Sequence, residues 1–532
     1  MVSQRIMFAI QTLCLVICTT TVKADVKPVA LFTDHMVIQQ QVDAPIWGWA
    51  DAGETVTVMA SWGEQATTTA DSTGAWSLTL KTPAARVGDA QSYRLTFEGG
   101  NRIEVNDVLV GEVWLASGQS NMEYTIAGLE LGDAEIGDSD LPMIREYTVR
   151  KNATYEAAAD TRGHWMKASP ETIGSFSGTA YFFARSLQEA LNVPVGIINA
   201  SWGGTRVEAW IPTDAQKPHA VTQAYVAERD EWAREHDAEE LQAQFVIDIV
   251  AWREAKANAE RQNIEFTQKR PTPVYWRYQI QNYTGTLYNG MICPVKPYAV
   301  KGTIWYQGES NGVAAEDAAF YRRQLSDLIT SWRDDWHDAN MPFYIVQLAN
   351  FRAPQVNPVE ADQHWPIVRE SMRKVADEMA HVNMAVAIDI GDAEDIHPRN
   401  KMELGRRLAL QTLHNDYGHD LVPAGPLYRS FTIEGDSILV DFEHKGSGLV
   451  AWGDDHLRGF AIKGGNGDYV WADAIIVERS NGWKFWQKRQ LVQVRSDRIS
   501  EPKSVRYGWA DNPDMINLYN KEGLPASPFS TD

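Results

Sequence analysis

Cysteine is nearly absent. The 532-residue chain has three, and two of them, Cys14 and Cys18, fall within the first 24 residues. Cys293 is left alone between Ile292 and Pro294, so no intramolecular disulfide can brace the rest of the chain; an inert buried thiol is the expected state. Metal-ligand spacing is also missing. There is no His-x-His and no His-Glu-x-x-His, and a single cysteine cannot build a thiolate site. No glycine-rich phosphate loop occurs. Past residue 24, no apolar run is long enough to span a bilayer. Basic charge is in deficit, with 49 Lys and Arg against 70 Asp and Glu giving −21. Such a surface repels phosphate backbones, which excludes nucleic acid as an expected partner.

What is present begins with a leader. Arg5, a mostly apolar stretch from Ile6 to Cys18 and the small-residue end Val22-Lys23-Ala24 read as a secretory signal over 1–24. Leu15-Val16-Ile17-Cys18 resembles a lipoprotein box, but Ile17 is bulky where a small residue is needed. Losing Arg5 and Lys23 with the leader takes the mature chain to −23. Export without a disulfide pair points to a Gram-negative periplasm or a bacterial surface, with no membrane attachment of the mature form. The 20 tryptophans are many. Their flat rings suit cores first and sugar faces second.

The length implies two to four domains. Over 25–107, Trp76, Leu78 and Leu80, then Tyr93, Leu95 and Phe97, alternate with polar residues, which predicts a small β-sandwich. From 108 to 415 the pattern becomes strands alternating with helices. Buried strands are predicted over 193–198, 300–306, 343–348 and 384–388. Helix faces are predicted at Phe183/Leu187/Ala190/Leu191, at Tyr321/Leu325/Leu328/Ile329/Trp332 and at Val368/Met372/Val375/Met379. This is the signature of an α/β domain with a mainly parallel sheet, whose ligands sit beyond the carboxyl ends of the strands. A charged, helix-favouring insertion interrupts it over 214–265. Residues 416–532 are strand-rich again, either as a separate β-domain or as completion of the first. No internal repeat or low-complexity tract is evident.

Four polar clusters follow predicted strands. The first is Ser117-Gly118-Gln119-Ser120-Asn121-Met122, where a strand runs into a glycine turn and ends on a hydroxyl. A serine so placed gains an exposed oxygen beside a backbone N–H that can face an oxyanion. Met122 stands where a Gly-x-Ser-x-Gly elbow would have its second glycine. The second is Ser201-Trp202-Gly203-Gly204-Thr205-Arg206, whose glycines bare backbone N–H groups and whose Arg206 could pair with a carboxylate or simply pack. The third is Trp305-Tyr306-Gln307-Gly308-Glu309-Ser310-Asn311. Gln307 could donate to an oxyanion, and Glu309 could orient a histidine or bind a sugar hydroxyl. The fourth runs from Asp389 to Lys401, with Asp395 two residues before His397. Serine with a His/Asp pair is the chemistry of nucleophilic ester hydrolysis. Asp392 and Glu394 also lie near His397, so spacing alone leaves the acid open.

These clusters, in this order, resemble the sialate O-acetylesterase family of the SGNH hydrolase superfamily. Leu287-Tyr288-Asn289-Gly290-Met291-Ile292, Asp395-Ile396-His397-Pro398-Arg399-Asn400-Lys401 and the tail Gly523-Leu524-Pro525-Ala526-Ser527-Pro528-Phe529 extend the likeness over nearly the whole mature chain. The resemblance implies a three-layer α/β/α catalytic domain with accessory all-β domains at both ends. It implies a serine esterase that removes O-acetyl groups from carbohydrates through an acetyl-serine intermediate, without metal or organic cofactor. Ser120 would be the nucleophile, His397 the base and Asp395 the acid, with Glu309 and Glu394 as alternative acids. The oxyanion hole would come from Ser120, Gly203 or Gly204, and the Gln307 side chain. Asn121, Arg206, Glu309 and Asn311 are the candidates for binding substrate. Acetylated sialic acid is the first expected substrate and acetylated hemicellulose oligosaccharides (xylan or xyloglucan type) the second. A non-catalytic carbohydrate-binding protein on the same scaffold is the reading from another class.

Overall fold

Continuous burial sets the central strands apart from the rest. The computed structural model describes residues 25–129, 136–262, 264–269, 271, 279–465, 467–481 and 484–532; the expected leader over 1–24 lies outside them. Seven strands form the central path: β1 (Arg102–Gly118), β2 (Leu141–Thr148), β3 (Trp165–Ala168), β4 (Val195–Ser201), β5 (Gly302–Tyr306), β6 (Phe343–Gln347) and β7 (Val382–Val386). Their order is β3-β2-β4-β1-β5-β6-β7. All neighbours are parallel except β3, which pairs antiparallel with β2 at the edge. Strands β4, β5 and β6 are buried at every position, as a sheet covered on both faces requires. The molecule is therefore a mixed α/β fold.

Strand β1 carries two periods. Over 102–107 exposure is frequent, and from Val108 every residue to Gly118 is buried. Its first part pairs antiparallel with Tyr93–Glu98, and its second with β4 and β5. One strand thus runs straight through the expected boundary at 107/108. Val37–Gln39 also pairs with Leu109–Gly111, and a single apolar core extends from Val26 to Leu413. The C-terminal strands pair only with one another among the described residues, and a second core from Ile438 to Phe529 lies among them.

Five helices matter for the site: α1 (Ser120–Glu123), α2 (Gly178–Leu191), α3 (Ala315–Asp335), α4 (Trp365–Glu378) and α5 (Lys401–Asn415). The Ser177 hydroxyl caps α2 by accepting from Ala180 N–H, and Asn192 closes it in the left-handed conformation. Helix α2 buries Ala180, Phe183, Ala184 and Leu187, while Ala190 is exposed, one turn beyond the core. All five apolar positions expected on α3 are buried. Helix α2 packs on α5, and α3 on α4. The insertion forms two largely exposed helices, Ala220–Glu235 and Ala238–Arg261. No helix among the described residues is long and apolar enough to cross a membrane.

Candidate active site

The carboxyl ends of β1, β4 and β5 meet at one point. Gly118 has φ +137°, and a methyl there would overlap the Tyr306 carbonyl oxygen, so only glycine lets β1 and β5 close at this turn. Gln119 N–H donates to that same oxygen at 2.9 Å, and α1 starts at Ser120, which is half-buried. Trp202 N–H donates to Gly118 O at 3.0 Å, bringing the β4 loop alongside. A Cβ on Gly203 would lie 3.1 Å from Ser120 Cβ.

The histidine loop reaches this point from β7. Asn121, next to Ser120, donates through Nδ2 to the Ile396 carbonyl at 3.1 Å, next to His397. The Tyr124 ring, from the residue that ends α1, stacks on the His397 imidazole at 5.3 Å between centroids. His397 Nδ1 lies 3.1 Å from Asp395 Oδ1, and His397 N–H donates to the same oxygen at 2.9 Å. With Nδ1 carrying the proton toward Asp395, Nε2 is left as the basic nitrogen. Burial pushes the imidazole below its ordinary range, against the pull of Asp395. Burial pushes Asp395 up, but the His397 N–H, the imidazole and Arg399 outweigh it and hold the carboxyl low. Of the three candidate acids, Asp395 is the one at hydrogen-bond distance from the imidazole. Glu394 is exposed, and Glu309 is buried behind Asn121.

Behind α1 lies a buried charged network. Lys401 Nζ donates to Asn121 Oδ1 at 2.6 Å, and Asn121 Nδ2 donates to Glu309 Oε1 at 2.5 Å. Asn400 caps α5, which fixes Lys401 as its first residue, where the helix dipole disfavours a cation. Burial lowers the Lys401 ammonium to about 7, against the attraction of Glu309 and Asp395. Burial raises the Glu309 carboxyl, whose Oε2 has no hydrogen-bond partner.

Several expected site residues face elsewhere. Gln307 is 0 % exposed; its Nε2 donates to Thr205 O and Asn311 Oδ1 at 3.1 and 2.8 Å, while Oε1 accepts from Tyr321. Both amide hydrogens are committed, so Gln307 does not serve as an oxyanion donor here. Arg206 is 1 % exposed and paired with Glu208 at 2.7 Å and Asp317 at 2.8 Å, which leaves it no reach toward a sugar carboxylate. Asn311 is buried against Glu208 and Val207, and Asn121 and Glu309 are buried in the network above, so none of the three presents its side chain to substrate. Gly204 is exposed. Gly203 N–H donates to Glu123 Oε2 at 2.6 Å, and Glu123 Oε1 pairs with Lys151 at 2.5 Å.

Sequence reasoning assigned no role to Glu123, Tyr124, Lys151 or Lys401. Lys401 alone left a signal, a lysine directly after an N-cap asparagine in a matched stretch. Cys293 is a free, half-buried thiol, raised by burial. Among the described residues, no group of three or more His, Cys, Asp or Glu could hold a metal ion.

Residues 110–240 and 272–414 match the family described as carbohydrate esterase, sialic acid-specific acetylesterase. The Mus musculus sialate O-acetylesterase is 27% identical over 537 residues, covering 93% of this chain and 92% of the mouse protein. The Homo sapiens sialate O-acetylesterase is 27% identical over 430 residues, covering 74% and 72%. The crystal structure of XAC1771, a carbohydrate acetylesterase from Xanthomonas citri, superposes with a TM-score of 0.77 at 32% identity and covers 96% of this chain and 100% of that one. A family match over more than half the chain makes this protein a member of the sialic acid-specific acetylesterase family and a carboxylic ester hydrolase of carbohydrates.

Proposed function

We propose that the chain releases acetate from O-acetylated sugars through an acetyl-serine intermediate on Ser120. The observation that carries this reading is the Asn121-to-Ile396 hydrogen bond, which ties the serine turn to the histidine loop across 275 residues of sequence. Ser120 Oγ attacks the acetyl carbonyl carbon while His397 Nε2 takes its proton. The carbonyl oxygen becomes an oxyanion. The adduct collapses, the C–O bond to the sugar breaks, and His397 returns the proton to the departing hydroxyl. Water then adds to the acetyl-enzyme by the same route and frees acetate. Asp395 orients the imidazole and stabilises its charged form.

Backbone donors supply the oxyanion hole in this reading. The Ser120 N–H stands at the first position of a helical turn, where no intrahelical acceptor exists. Gly203 and Gly204 contribute from the β4 loop. For Gly203, the Glu123 carboxylate must first leave the N–H that it now accepts, since two anions cannot share one donor. The layout fits an SGNH-type α/β/α domain with β-rich ends, and the leader over 1–24 fits export to the periplasm.

Ser120→Ala tests the proposal. The variant is expected to keep the fold and lose acetate release, and a fluorophosphonate is expected to label the wild type at Ser120 alone. Near-normal turnover by the alanine variant removes Ser120 from the mechanism. Tight sugar binding without labelling or turnover in the wild type would instead favour the non-catalytic reading.

A further inference from the structure

The stretch Leu287–Ile292 carries part of the family likeness yet holds no reacting group. Its structural work is local. A methyl on Gly290 would overlap the Asn152 carbonyl oxygen, so glycine lets the 152–158 segment lie directly against it. Asn289 Nδ2 donates to Tyr155 O at 2.7 Å and Thr154 O at 3.3 Å, and Ala158 N–H donates to Asn289 O at 2.9 Å. Asn152 and Gly290, held together in this way, both line an open cavity of about 830 Å³.

That cavity has an unusual charge. Lys27, Arg150, Lys151 and Arg162 line it, against Asp160 as the one acid among its lining residues. Asp160 Oδ1 is occupied by the Ala30 and Thr161 N–H groups, both at 2.9 Å, and so braces the loop. Arg150 and Arg162 are held side by side by the Arg150 N–H donating to Arg162 O at 3.3 Å, and both are exposed. Four cations around one cavity stand out on a chain whose acids outnumber its bases 70 to 49. A concave cationic patch concentrates anions locally even when net charge repels them.

One lining residue, Lys151, links the cavity to the surroundings of Ser120. Lys151 lies 5.3 Å over the Trp202 ring and pairs with Glu123, whose other oxygen accepts from Gly203 beside Ser120. We infer that this cavity is the subsite that takes the carboxylate of an acidic sugar, a sialic or hexuronic acid, carried by the acetylated substrate. Arg150 and Arg162 present guanidinium forks suited to a carboxylate, the role that buried Arg206 does not fill. The inference rests on the acetylesterase reading.

The test compares the wild type with the double variant Arg150→Gln/Arg162→Gln. Four substrates are used: 9-O-acetyl-N-acetylneuraminic acid, acetylated glucuronoxylan oligosaccharides, neutral acetylated xylo-oligosaccharides and p-nitrophenyl acetate. KM for at least one acidic substrate is expected to rise about tenfold or more in the variant, the equivalent of one charge-assisted contact, with kcat nearly unchanged. The neutral substrates are expected not to respond. Which acid responds identifies the source of the carboxylate. An equal change on neutral substrates, no change on either acid, or turnover of neutral substrates alone overturns the inference. If the wild type hydrolyses none of the four, the acetylesterase reading has failed separately. Calorimetry with free N-acetylneuraminate and glucuronate then decides the subsite: binding that the double variant loses supports it, and no binding of either sugar overturns it.

Discussion

Replacing Asn121 with alanine tests how the site is held together. The side chain makes three hydrogen bonds at once, to Lys401 at 2.6 Å, to Glu309 at 2.5 Å and to the Ile396 carbonyl at 3.1 Å. Bonds to charged groups contribute ~1.5–3 kcal/mol each and a neutral one ~1 kcal/mol. Simple addition overstates the loss, because Lys401 and Glu309 can still attract one another across the space vacated. The expected cost is ~3–5 kcal/mol, the size seen when a buried charge loses its partner. That is a large share of a typical folding free energy of ~5–15 kcal/mol. Chemical denaturation measures it. The Ile396 bond adds a second, separable effect. Without it the His397 loop is no longer tethered to α1, and a shift of ~1 Å at a reacting group costs roughly 10² in rate. Acetate release by the folded fraction, well below the unfolding midpoint, is expected to fall by about that factor. Wild-type turnover there would refute the tether. A stability loss under ~1 kcal/mol would refute the reading that Asn121 satisfies both charges.

Three further outcomes are expected. The acid limb of kcat/KM should fall below pH 6.5, because burial lowers the His397 imidazole and keeps the base neutral into mildly acidic solution. Arg399→Gln should move that limb upward, since the Arg399 charge also disfavours the imidazolium; a limb that moves downward contradicts the assignment. Gly118→Ala should cost about 3 kcal/mol or more in urea denaturation, because the added methyl meets backbone at positive φ; an unchanged midpoint would mean that the turn is not closed as described. Arg206→Met should lose ~3–5 kcal/mol by stranding Glu208 and Asp317, with unaltered kcat in the folded fraction; intact stability with a raised KM for acidic sugars would make Arg206 a substrate contact after all.

The elements of the α/β region were legible because they depend on period. Tyr321, Leu325, Leu328, Ile329 and Trp332 announce one helix face, and β5 and β6 announce themselves as short apolar runs. The change from alternation to continuous apolarity near 107 was also legible, but its meaning was not. It marks the point where one strand leaves a partly exposed sheet for a fully covered one, not a break in the chain.

Polar residues divided differently. Ser120 and the Asp395/His397 pair could be picked out because their neighbours are close in sequence: a glycine turn in one case, a two-residue spacing in the other. Gln307, Arg206, Asn311 and Lys401 could not be sorted, because each has at least one partner remote in the sequence. Gln307 meets Thr205 across 102 positions, Arg206 meets Asp317 across 111, and Lys401 meets Asn121 across 280. Local composition says that a side chain can donate or accept. Only packing decides whether its hydrogen bonds are spent inside the protein or left for a ligand, since a buried donor must find its acceptor wherever the fold brings one. The sequence by itself therefore determined the strands and helix faces of the α/β region and singled out the serine turn and the His/Asp pair as candidates. The tertiary structure decided which of the remaining polar groups face substrate, because that depends on contacts that exist only once strands distant in the chain lie side by side.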